Sequence, residues 1–182
     1  MQEYRYELKV PKERVAVIIG EGGKTKRELE ALTTAKINVD STEGDITITG
    51  KDSLMLYQAK EIIRAIARGF NPDIAKLLIK PDYTFDSINL NDYARSPTDL
   101  ERLKGRIIGQ DGKARRTLQE LTKTDICVYG KTVGIIGYAE NIMATRRAIE
   151  SLIEGSRHGN VYKTLEKRRS YKEEAPTHEY SS

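Results

Sequence analysis

Apolar residues recur along the chain at two periods, and the switches between them outline the elements. From Tyr4 to Val10 apolar and charged residues alternate, the period of a half-buried strand, and Pro11 closes the run. Lys12 to Ile19 has helical spacing. Gly20 to Gly23 interrupts it, because glycine takes the positive φ of a tight helix-to-helix turn at little cost, and Lys24 to Leu32 resumes with Leu29 and Leu32 on one face. Ile37 with Val39, then Ile46 with Ile48, return to period two and predict a hairpin. Met55, Ala59, Ile62, Ile63 and Ile66 recur at spacings of three and four, predicting a long amphipathic helix that ends near Gly69. The predicted order is β-α-α-β-β-α.

That order occurs twice. The stretch IIGEGGKTKRELEALT, Ile18 to Thr33, returns 89 positions later as IIGQDGKARRTLQELT, Ile107 to Thr122, and the register holds to Ile37 and Val39 against Ile126 and Val128. It then slips by two residues, since the loop from Asp40 to Asp45 is longer than the Gly130-Lys131 pair, which suits a two-residue hairpin. In the second unit the first strand is placed within Tyr83 to Leu90 and the first helix at Pro97 to Ile108. Leu118 and Leu121 mark the second helix, Val133 and Ile135 the last strand, and Ile142, Ile149, Leu152 and Ile153 the last helix. Between the units, Asn71 to Lys80 reads as a connecting helix with Asn71 as N-cap, Pro72 at the first helical position and Pro81 closing it. The chain is thus expected to be α+β, with units at 1–70 and 81–160, a connecting helix at 71–80, and a basic C-terminal extension with a flexible tail at 161–182.

Composition narrows the function classes. At 182 residues with 38% hydrophobic content the chain can form one large core or two small ones. Cys127 is the sole cysteine, which excludes an intramolecular disulfide and a thiolate-rich zinc cage. No apolar run reaches spanning length and Met1 to Val10 lacks a signal-peptide core, so a cytoplasmic protein without membrane contact is expected. His158 and His178 fall in or near the polar tail and no metal-ligand spacing appears; no metal, cofactor or enzymatic activity is expected.

Gly-Gly-Lys-Thr at Gly22 to Thr25 suggests a nucleotide phosphate loop, and the suggestion fails. A Walker A loop needs glycine where Ile18 and Ile107 stand, the second copy has Ala114 in place of the magnesium-binding hydroxyl, and Thr25 breaks the dinucleotide pattern. What remains, Ile-Ile-Gly-x-x-Gly-Lys between two helices of a duplicated β-α-α-β-β-α unit, resembles the type I KH domain over about 150 residues. KH domains clamp the backbone of about four single-stranded nucleotides with this loop. Approachable glycine backbone, the free N–H groups of a helix start and a following lysine suit a phosphate.

Charge distinguishes the copies. Pro11 to Ala35 holds five basic and four acidic residues, and the equivalent Leu100 to Thr124 holds seven and three. Asp40, Glu43 and Asp45 face the first clamp, where the second has Lys131, at separations near a Debye length of about 8 to 10 Å. Gly109, Gln110, Asp111, Gly112, Lys113, Arg115, Arg116 and Lys131 are therefore the candidate RNA-binding residues, although Asp111 opposes a phosphate. Ile108, Ile126 and Val128 are either an apolar groove for bases or simply core. Gly20, Glu21, Gly22, Gly23 and Lys24 form the weaker candidate loop, and the first unit is expected to be a scaffold copy.

The stretches GFNPDIAKLLIKPDY, LKGRIIGQDGKARRTLQELTKTDICVYGKTVGIIG and EGSRHGNVYKTLEKRR resemble the archaeal relatives of the partner-of-Nob-one proteins, tandem KH factors of small ribosomal subunit assembly. The resemblance implies binding to the 3′ region of small-subunit ribosomal RNA. As partners it implies the nuclease that matures this end and the alpha subunit of translation initiation factor two. Family members often carry lysine and glycine where this chain has Gln110 and Asp111. The alternative is a KH-fold protein-interaction scaffold with little RNA binding of its own.

Overall fold

A computed structural model describes residues 2–174. In the first unit β1 (Tyr4–Lys9), α1 (Lys12–Ile19), α2 (Lys24–Thr33), β2 (Lys36–Asp40), β3 (Asp45–Gly50) and α3 (Ser53–Ala67) follow in the expected order. The strands pair antiparallel as β1-β3-β2, with Tyr6 and Ile37 both opposite Ile48, and Leu8 and Val39 both opposite Ile46. This register sends the apolar residues to the helix side. It leaves Arg5, Glu7, Lys36, Asn38, Thr47 and Thr49 on a polar outer face. Asp52 caps α3 by accepting from the N–H groups of Leu54 and Met55, and the helix buries Leu56, Ala59, Ile62, Ile63 and Ile66. Leu56 takes the core place predicted for Met55, which is half-buried.

The connection is not one helix. A single turn, α4 (Pro72–Ala75), capped by Asn71, runs into a 3-10 turn at Lys76–Ile79. Tighter winding puts residues three apart on one side, which brings Ala75 and Leu78 together into the first core, and extended Lys80 then satisfies Pro81.

The second unit comprises β4 (Tyr83–Asn89), α5 (Pro97–Ile108), α6 (Lys113–Thr122), β5 (Asp125–Tyr129), β6 (Thr132–Tyr138) and α7 (Ala139–Ile153), with strand order β4-β6-β5. Ile88, Val133, Ile135 and Ile126 face its helices. Its outer face differs from that of the first sheet in being apolar, and the first unit covers it. Ile136 is fully buried in the first core, and Phe70 meets Phe85 edge to face with ring centroids 6.2 Å apart. A Cβ at Gly134 would lie 2.6 Å from the Phe70 ring, so only glycine permits this approach. Arg14 of α1 donates to the carbonyls of Ile66 and Phe70 and lies over the Tyr129 ring, whose hydroxyl donates to Glu13 at 2.9 Å. Both faces of β6 are buried, and the two units form one packed body.

Helix α8 (His158–Glu174) lies along α6 and α7 and adds Val161 and Leu165 to the second core. A unit boundary at 160 therefore falls inside α8. Glu173 and Glu174, read from the sequence as the start of a flexible tail, are its last residues. The remainder of that tail, 175–182, lies outside the described residues. No helix among the described residues is long and apolar enough to cross a membrane.

Candidate nucleic-acid interface

Each unit joins its first two helices by the same four-residue turn. In the second, Gly109 ends α5 at φ +71°, the turn Gln110–Gly112 holds Asp111 at φ +51°, and Gly112 precedes α6 at φ +74°. Gly109 is required twice over, because a Cβ there would also lie 2.8 Å from the backbone nitrogen of Ala114. At Gly112 it would meet only the end of the flexible Arg116 side chain, at 3.1 Å. The Gly112 N–H is bonded back to the Gly109 carbonyl, while the first N–H groups inside α6 have no intrahelical acceptor and sit at its positive dipole end, an arrangement that suits an anion. Gly20, Glu21, Gly22 and Gly23 repeat the turn, with Arg27 donating to the Gly22 carbonyl at 2.7 Å.

Asp111 occupies a left-handed conformation that disfavours L residues by roughly 1 kcal/mol, least for aspartate and asparagine. Asp111→Gly is expected to remove both the strain and the charge. The gain in stability is small, under about 1 kcal/mol, since glycine also loosens the unfolded chain. The gain in affinity for a single strand is larger, and fluorescence anisotropy beside a thermal melt reads both.

The fold sorts the basic residues that the sequence only counts. Arg102 pairs with Asp99 and Lys104 with Glu101, while Arg106 donates to the carbonyls of Leu152, in the last turn of α7, and Ser156, just beyond it. Lys113, Arg116 and Lys131 are exposed and Arg115 is half-buried, and among the described residues none of the four lies within ion-pair distance of a carboxylate. The first unit neutralises its own loop. Lys24 is 3.9 Å from Glu28, Lys26 is 3.4 Å from Glu30, and Glu28 also pairs with Lys76, whose hydrogen bond holds the Glu28 carboxyl below its ordinary range. At the matching places the second unit has Thr117 and Gln119. Glu30 and Gln119 do the same structural work, accepting the N–H of Ile37 and of Ile126 at 2.8 Å, so the second unit keeps the bond and drops the charge.

The apolar candidates divide. Ile108 and Val128 are half-buried, Val128 against the second core, but Ile126 is only 2% exposed. On edge strand β5 it faces Ile135 of the central strand and is a core residue, so of its two readings, base-binding groove or core, the fold selects the core. Arg115 leans on the edge strand, its Nη1 3.4 Å from the Ile126 carbonyl, and so flanks the turn from the β5 side. In the basic extension Arg168 donates to the Glu140 carbonyl, Lys172 pairs with Glu140 and Arg169 with Glu173, leaving Lys163 and Lys167 as its unpaired cations among the described residues. Tyr57 and Tyr138, at the junction of the units beside half-buried Tyr83, belong to no motif and escape sequence reading; only their exposure in the fold marks them. Among the described residues no three His, Cys, Asp or Glu side chains gather as a metal site.

Residues 84–170 match a family model for the second KH domain of PNO1, described as a eukaryotic type KH-domain (KH-domain type I), and residues 5–65 match that of the KH domain. A KH domain-containing protein of Methanocaldococcus jannaschii is 43% identical over 166 residues, 89% of this chain and 73% of that protein. The chain belongs to the PNO1-like tandem KH family. The β-α-α-β-β-α order read twice from the sequence is that of its two KH domains. One chain of the solved a/eIF2alpha-aDim2p-rRNA complex from Pyrococcus horikoshii has a TM-score of 0.88 and 40% identity to this PNO1-like chain, covering 93% of it and 96% of its own length. The Pre-rRNA-processing protein PNO1 of Chaetomium thermophilum is 36% identical over 113 residues, 60% of this chain but 44% of that protein, so the chain spans about half the length of such eukaryotic relatives. Their names are those of RNA-binding and pre-rRNA-processing factors, not of enzymes.

Proposed function

We propose that this PNO1-like protein binds single-stranded RNA in its second KH domain, and that the RNA is the 3′ region of small-subunit ribosomal RNA. The observation that carries the reading is the contrast between the loops. Around Gly109 to Gly112 the four nearby cations are unpaired, whereas around Gly20 to Gly23 the lysines meet carboxylates. Phosphates approach the Gly109 and Gly112 backbone, Lys113 and Arg116 supply charge at the helix start, and Lys131 and Arg115 close the strand side. Ile108 and Val128 meet the bases. The kinship with the chain of a complex named for rRNA, and with proteins named for pre-rRNA processing, supports the same reading. The proposed protein partners are the alpha subunit of translation initiation factor two, which that complex contains by name, and the nuclease that matures the rRNA end.

Labelled strands ending in the ribosomal 3′ sequence, titrated beside scrambled strands, test this. With three or four phosphates held, log affinity against log salt has a slope of about −2 to −3, because each contact contributes about −0.7 on single strands. A flat salt dependence would remove the clamp from the mechanism, and equal affinity for scrambled strands would remove the 3′ assignment. The scaffold reading draws on Glu21 and Asp111, a carboxylate in each clamp; a folded protein that binds no strand selects it.

A further inference from the structure

On the side where α3 meets β4 the junction of the two units opens into a cleft of about 170 Å³, walled by Tyr57, Gln58, Lys80, Tyr83 and Phe85. Three features set it apart from ordinary surface. Of its aromatic side chains Tyr57 stays open, 47% exposed, and half-buried Tyr83 is backed at the rim by Tyr138, itself 45% exposed, with ring centroids 4.6 Å apart. Lysines interleave them. The Lys60 Nζ lies 4.7 Å from the centre of the Tyr57 ring and 4.6 Å from that of Tyr6, and the Lys80 Nζ lies 5.1 Å from that of Tyr83. Neither lysine has a carboxylate within ion-pair distance among the described residues. The third feature is an unmet acceptor. Gln58 donates its Nε2 to the Ile79 carbonyl at 3.0 Å, which fixes the amide orientation, and its buried Oε1 then has no donor.

We infer that this cleft is a second RNA contact, in which an unpaired base stacks on the Tyr57 and Tyr83 wall while Lys60 and Lys80 meet its flanking phosphates. The inference rests on the single-strand reading of the second KH domain and extends it. Open tyrosine rings interleaved with unpaired cations are the chemistry of a stacking platform for single strands, tolerant of base identity because every base presents a π-face. The wall also holds Leu54, Leu78 and Pro81 and a Glu61 carboxylate that Arg64 neutralises at 2.6 Å, but an apolar protein segment would leave both ammonium groups unanswered. The Gln58 Oε1 adds a preference for an edge that presents an N–H. Tyr83 and Tyr138 pair at one end of β6 and Asn89 and Thr132 at the other, beside the hairpin turn that carries Lys131. Seven strand residues span roughly 20 Å, so one clamp-filling strand cannot occupy both places.

The test compares strands of about four nucleotides, enough for one clamp, with strands about three times longer, on the full chain. Gln110→Asp is expected to weaken both. The pair Tyr57→Ala with Tyr138→Ala, both exposed positions, is expected to weaken the long strand about tenfold and leave the short one unchanged, while Tyr57→Phe restores binding by keeping the ring. Photocrosslinks from 4-thiouridine outside the clamped segment should map to peptides holding Tyr57, Tyr83 or Tyr138. If the tyrosine pair binds the long strand as the wild type does, or crosslinks map elsewhere, the cleft is not an RNA site, and a persisting Gln110→Asp defect leaves the clamp reading intact. If the tyrosine pair instead loses binding to the initiation factor alpha subunit with RNA affinity unchanged, the cleft is a protein dock and the inference is wrong. A wild type that binds neither strand overturns both readings together.

Discussion

Replacing Gln110 by aspartate is expected to weaken single-strand binding at least about tenfold while the melting temperature stays level or rises slightly. The two effects separate because a carboxylate at a helix start is favourable for the fold and unfavourable for the ligand. Gln110 is exposed, opens the turn and lies outside the left-handed region, so aspartate enters without strain. At that place it interacts with the helix dipole by about 0.3–1 kcal/mol in favour of the native state. With Asp111 it would put two negative charges against the phosphates. At separations of about 4 Å each repulsion amounts to roughly 1 to 4 kcal/mol between bulk water and a partly shielded surface, and every 1.4 kcal/mol is about tenfold in affinity. Anisotropy and a circular dichroism melt on one preparation make the comparison. Unchanged affinity in an intact protein would show that RNA does not use this turn. In the first KH domain, Glu21→Gln is the matched control and should change affinity little.

Phe70→Ala is expected to give the largest loss of stability, about 3–5 kcal/mol, the range for emptying a buried phenylalanine site. Phe70 is only 3% exposed, crosses Phe85 edge to face and closes over Gly134, so its ring is the wedge between the two sheets' territories. Urea unfolding of the wild type should show one cooperative transition. The variant should show a lower midpoint and separation of the two KH domains into distinct steps. A single transition with an unmoved midpoint would mean that the domains do not depend on each other's packing.

Much of this architecture is readable before any coordinates, for a reason that particular elements make clear. Helices α1 and α5 have the limits that Lys12 to Ile19 and Pro97 to Ile108 suggest, because Pro11, Ser96 and the glycine turns are local signals. The hairpins follow from period-two isoleucines and valines. What sequence does not disclose is which neighbour covers an apolar face. Phe85, Cys127 and Ile136 read as ordinary strand residues, and their contact with the first unit is set by tertiary packing alone. Ile126 and Val128 are open in sequence to either a groove or the core, and only the burial of Ile126 decides for the core. Helix α8 gives a weak sequence signal, since it buries only Val161 and Leu165, half-buries Tyr162 and is polar or charged over most of the rest. The two Gly-x-x-Gly turns themselves are readable to the residue. The pairing of Lys76 with Glu28, which ties the connection to the helix after the first turn, depends on where distant residues meet in space.

The apolar outer face of the second sheet has a consequence for how this chain can be cut or copied. A fragment carrying only the second repeat would present Phe85, Cys127 and Ile136 to water beside the open edge of β5, a template for self-association rather than a working domain. The duplicated halves are no longer interchangeable: one has become the lid of the other.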